Sequence, residues 1–131
     1  MNSLTAKNLK MAAYNITING VEYSGETASA KDQYQAFHLA INSKLILGIE
    51  ESFTDKGLVA MLMSMAWSDL QLLDKLLVKD KLTRDSDDVL VALNLFRDDP
   101  ANYALLLGRV ARENLRGFYS LSGEKSADAG E

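Results

Sequence analysis

A chain of 131 residues is long enough for one ordinary domain with a real core and too short for two. Its mixture of 47% apolar and 24% charged residues excludes the apolar-poor signature of disorder. The formal charge of −4 offers phosphate backbones no general attraction, and the lack of cysteine excludes disulfides, thiolate catalysis and cysteine-rich zinc sites.

The opening "MNSLTAKNLKMAAYN" lacks the apolar core of a secretory signal, and no apolar run approaches the ~20 residues of a membrane helix. A soluble, unexported protein is expected, with residues 1–12 as a flexible leader and Met11 as a second candidate start. In "YNITINGVEY", Tyr14, Ile16 and Ile18 share one strand face, Asn19-Gly20 suits a type I′ turn, and the chain resumes with Val21 and Tyr23. An isolated hairpin is marginal in water, so this one needs helices or a neighbouring chain's strands to pack on.

Ser29 is placed to cap a helix from about Ala30 to Leu47, with Tyr34, Phe37, Ile41 and Leu45 at helical spacing as its core face. Gly48 breaks that run, and Thr54 or Asp55 caps the next helix, which carries "GLVAMLMSMAW". Ser68 and Gln71 have capping-box spacing, so a new helix starts or the old one bends there. Leu72, Leu73, Leu76 and Leu77 then share a face opposite Asp74, Lys75, Lys79 and Asp80. Ser86, followed by Asp87 and Asp88, opens a fourth helical segment. Asp99 and Pro100 open the last helix, which ends near Arg116 and Gly117 and leaves 120–131 as a disordered polar tail. The class read from these elements is α+β and mainly helical, an N-terminal β-hairpin packed with four to five helices in a single domain over 13–119.

No catalytic motif is present, and neither a cofactor nor a metal is expected. His38, the sole histidine, has Tyr34 and Asn42 one turn away and no local carboxylate or nucleophile, so it reads as a boundary residue. Asp85, Asp87 and Asp88 suggest a calcium loop, but Leu90 and Phe96 stand where its glycine and glutamate belong, and capping explains the acids. Arg109, Arg112 and Arg116 form a basic stripe near a helix C-terminus, where cations complement the dipole; they also serve as a candidate charged rim for an acidic partner.

The stretch Gly57–Trp67 is the unusual one, because Ser64 is the only polar residue among its non-glycine positions. Read as one helix, it puts Met61 and Met65 on one face and Met63 on the other, apolar all round. A small domain can seldom cover every side of such a helix. Met61, Met63, Met65 and Trp67 are therefore candidate contacts to a partner or a second copy, together with Ile16, Ile18 and Val21 of the hairpin. Methionine suits this role because it is unbranched and adapts to varied surfaces.

The "ITINGVEY" hairpin, the following "AKDQYQAFHLAINSKL" and the closing "ENLRGFYS" together resemble the tail assembly chaperones of long-tailed bacteriophages over roughly Tyr14 to Ser120. Gly20, Leu39, Leu45, Asn114 and Phe118 are among the positions that carry the resemblance, and the methionine-rich centre departs from it. The resemblance implies a non-enzymatic protein of the host cytoplasm, and the unsupported hairpin and the all-round apolar helix add the expectation that it self-associates. Such a protein binds the tape measure protein, helps recruit tail tube subunits and stays out of the finished virion; that no nucleic-acid or membrane partner is expected follows from the net charge and the apolar run lengths given above. It also implies a longer frameshifted product, with the junction near "SGEKSADAGE". A structural head-tail connector or tail completion protein, and a nucleic-acid-binding regulator acting through the three arginines, are the alternative functions.

Overall fold

Asn19 and Gly20 both take positive φ, 52° and 84°, the backbone that a two-residue type I′ turn requires. They join β1 (Ala13–Ile18) to β2 (Val21–Glu26) in antiparallel register, with Ile18 opposite Val21 and Tyr14 opposite Gly25. The computed structural model describes residues 13–49 and 54–129, with side chains as far as Phe118. The expected leader and the alternative start at Met11 lie outside the described residues.

Helix α1 (Ala30–Asn42) begins at Ser29, whose hydroxyl accepts the Asp32 N–H at 3.2 Å. It stops earlier than Leu47, because Ser43 caps it and Lys44 adopts a left-handed φ of 66°. Gly48 does not break the run; it lies inside the short helix α2 (Ile46–Ile49). Of the residues expected to face the core, Leu45 is fully buried and Phe37 packs against the core, but the rest of that face differs. Ala36 and Ala40 are fully buried, while Tyr34 and Ile41 are exposed. The small side chains at Ala36 and Ala40 let α1 approach its neighbours closely.

Thr54 caps α3 (Asp55–Met63) by accepting the Gly57 N–H, and α4 (Trp67–Leu77) begins one residue before Ser68, with no side-chain cap. The fourth helix expected from Ser86 is absent. Its place is taken by β3 (Leu82–Arg84), β4 (Val89–Leu90) and a 3₁₀ turn over Leu93–Phe96. The acids close a hairpin instead. Arg84 donates to both Asp87 oxygens at 3.0 and 2.7 Å, and Asp88 takes a left-handed φ of 58°. Because β3 pairs with β2, the N-terminal hairpin becomes half of a four-stranded antiparallel sheet in the order β1-β2-β3-β4. The molecule is α+β and mainly helical. No helix among the described residues is long and apolar enough to cross a membrane.

The last helix, α5 (Pro100–Ala129), starts where Pro100 predicts and runs past the expected end at Arg116, through the region read as a disordered tail. Gly117 does not stop it, because its φ is not left-handed; a glycine inside a helix costs about 1 kcal/mol relative to alanine. From Tyr103 to Leu115 this helix is the centre of the core, packed against β1, α1, α2, α3, α4 and the 3₁₀ turn. Its buried Asn114 accepts the Ala28 N–H at 2.7 Å and donates to the Val110 carbonyl, which fixes the β2–α1 connection to α5. Phe118 stacks on Phe37 at 4.2 Å and meets Tyr34 edge-on, holding α1 to the same helix.

Helix α3 approaches α5 tightly at Gly108, where an added Cβ would lie 2.6 Å from the branched carbon of buried Leu58. Gly108→Ala should therefore destabilise the fold by about 1–3 kcal/mol in urea unfolding, despite alanine's better helix propensity. A gain in stability would show that α3 and α5 are not in tight contact.

Candidate functional site

Helix α3 ends at Met63 because the chain turns at Ser64, whose N–H and hydroxyl go back to the Ala60 and Met61 carbonyls. Met65 therefore lies in a turn and not on the helix, so it does not share a face with Met61. Trp67 opens α4 in a new direction. The break leaves the N-terminal end of α5 partly uncovered. A cavity of about 320 Å³ opens there, walled by Met63, Met65, Trp67 and Leu70 on one side and by Leu93, Pro100, Tyr103 and Ala104 on the other.

Met63 is 53% exposed and Trp67 58%, whereas Leu58 and Leu62 of the same stretch are fully buried. The apolar stretch is thus divided. Leu58 and Leu62 belong to the core, Met61 and Met65 are half-buried and pack against it, and Met65 also joins the exposed Met63 and Trp67 in lining an apolar groove open to solvent. Leu93 and the α5 walls were not legible as site residues, because only the tertiary fold brings them beside the methionines. Tyr103 is fixed at the groove by its hydroxyl, which donates to the Asp74 carboxylate at 2.7 Å. Burial pushes the Asp74 carboxyl above its usual range, and the Tyr103 hydrogen bond and Lys79 offset only part of that.

The hairpin residues expected at an interface divide differently. Ile16 and Ile18 are 5% and 2% exposed and belong to the core, because the sheet lays that face on α5. Only Val21 reaches solvent. The pairing of β2 with β3 also removes the need for a neighbouring chain to support the hairpin.

The three arginines do come together, in a cleft of about 390 Å³ that they line with Glu113, Asn15, Ile16 and Thr17. Each guanidinium has structural work. Arg109 joins Asp55 at 2.7 Å to the Thr17 carbonyl at 3.0 Å, Arg112 donates to the Gly48 and Ile49 carbonyls at the end of α2, and Arg116 pairs with Glu113. His38 is exposed beside Phe37. Asp85, placed by the β3–β4 turn, accepts from Ser24, which in turn accepts from Asn15.

An acid whose folded pKa is raised binds its proton more tightly in the folded state, so ionising Asp74 lowers stability as pH rises through the carboxylate range. Asp74→Asn keeps an acceptor for Tyr103 and cannot ionise. It should be more stable than the parent near neutral pH, with the difference fading below about pH 3. A difference independent of pH, measured by denaturation across that range, would contradict this reading of the buried carboxyl. Compared with known proteins, the chain matches no family model, no curated protein and no solved structure.

Proposed function

We propose that this protein is a tail assembly chaperone of a long-tailed bacteriophage. In this reading it acts without enzymatic chemistry in the host cytoplasm, holding apolar helical segments of the tape measure protein while tail tube subunits are recruited. The observation that carries the reading is the open groove of Met63, Met65, Trp67, Leu93 and Tyr103. Exposed large apolar residues gathered in one concavity mark an interaction site, and a groove between helices suits an amphipathic helix inserting its apolar ridge. Methionines at the rim allow one groove to accept different side chains along a long client. The sequence resemblance supplies the identity of that client, and self-association of the chaperone would multiply weak sites into useful avidity.

Co-purification with a tape measure fragment tests the reading. Met63→Ala and Trp67→Ala remove exposed side chains, so their melting temperatures should stay close to the parent's. Each should weaken capture by about 2 kcal/mol, roughly thirtyfold, if these residues anchor the client. Leu62→Ala should act oppositely, losing about 2–5 kcal/mol of stability while its folded fraction still binds. Undiminished capture by both groove variants would overturn the assignment of the client site. Finding the protein as a stoichiometric component of purified virions would favour a structural connector instead.

A further inference from the structure

The β1–β2 and β3–β4 turns, the 3₁₀ turn and the start of α5 border a further cavity, of about 350 Å³. Part of its wall is aromatic. Tyr23 and Phe96 are 4% and 6% exposed, their ring centroids are 6.1 Å apart, and Tyr23 stands opposite Arg84 in the β2–β3 ladder. A buried tyrosine ordinarily finds a hydrogen-bond partner for its hydroxyl. Tyr23 lines the cavity, and its hydroxyl has no such partner among the described residues. Burial holds this phenol above its usual pKa, Arg84 opposes the rise and Asp99 adds to it, so both charges lie within electrostatic reach of the hydroxyl. Those two charges are not equally available. Arg84 is committed to Asp87, donating to both of its oxygens, whereas the Asp99 carboxylate has no hydrogen bond or ion pair among the described residues.

We propose that this cavity binds a compact organic cation, an ammonium group at the end of a short alkyl chain. Asp99 and the Tyr23 hydroxyl hold the head, and Ile18, Val21 and Leu95 flank the chain. An ammonium has three donors and no acceptor, which suits a lining that offers it a carboxylate, a phenolic oxygen and the Asn102 amide oxygen. An anion would find less. Arg84 is already paired, Pro100 has no N–H, and the Asn102 and Tyr103 amides are bonded to the Asp99 carbonyl, so this helix end has few donors left to give. Two sources carry the ammonium group, a free alkylamine and the lysine side chain of a partner protein. The cavity shares no lining residue with the apolar groove, and the inference does not rest on the function proposed for that groove.

Pentylamine, protonated near neutral pH, would be titrated into the isotopically labelled full chain and followed by amide chemical shifts. Pentanol and pentanoate, which share its alkyl chain and differ in charge, are the matched probes. Shifts should gather at Asn19, Tyr23, Ser86 and Asn102, and pentylammonium should bind about tenfold tighter than either matched probe, with the advantage shrinking as salt is added. Tyr23→Phe removes only the unpartnered hydroxyl, so it should weaken pentylammonium binding severalfold without lowering the melting temperature. Asp99→Asn keeps a side chain suited to a helix N-terminus and should erase the preference for the amine over the alcohol. Acetyl-lysine methylamide separates the two sources: tighter binding than pentylamine supports a partner's lysine, and weaker binding supports a free amine. Equal binding of the three matched probes, tighter binding of pentanoate, shifts confined to other parts of the chain, or an unaltered pentylammonium affinity in either variant would each overturn the proposal.

Discussion

Helix α5 has to be covered on almost every side between Tyr103 and Leu115, and the rest of the structure follows from how that is done. The sheet, the four preceding helices and the 3₁₀ turn all pack on this one element. Two contacts set the spacing. Gly108 admits Leu58 at a distance that any side chain would forbid, and Asn114 holds the β2–α1 connection through the Ala28 amide. Burying a polar side chain is favourable only when its hydrogen bonds are made, and Asn114 both accepts and donates. The Tyr14 hydroxyl is the contrasting case, a buried oxygen without a partner among the described residues, whose phenol is held above its usual pKa first by burial and then by Glu113.

The groove is a consequence of incomplete coverage. If α3 had continued straight through Met65, its second face would have stood clear of the core along its length. The turn at Ser64 instead folds Met63, Met65 and Trp67 toward the start of α5, where Leu93 closes the opposite wall. Four large apolar groups are thereby concentrated in one concave site rather than scattered over the surface, the arrangement in which apolar contact gives the most affinity for a partner.

Local chemistry made some of this architecture legible in the sequence. Asn19-Gly20 specifies the hairpin, Ser29 and Thr54 cap their helices, and Pro100 begins the last one. What escaped depends on contacts distant in sequence. Strands of three and two residues carry too little periodicity to be distinguished from a capped helix, and β3 becomes a strand only because β2 is there to pair with it. The core face of α1 was legible at Phe37 and Leu45 but misread at Tyr34 and Ile41, because Ala36 and Ala40 give a weaker apolar signal, although small residues are what close helix packing selects. The unusual surface of Gly57–Trp67 was visible, but its division between core and groove required the turn at Ser64.

Trp67 is the chain's only tryptophan and stands in the groove wall, so its fluorescence reports on that site alone. The most direct measurement is acrylamide quenching of Trp67 during titration with a helical segment of the tape measure protein. Occupation of the groove predicts a blue-shifted emission and a quenching constant that falls in step with binding to a saturating minimum. Binding established by an independent method, with Trp67 emission and quenching unchanged, would contradict the account.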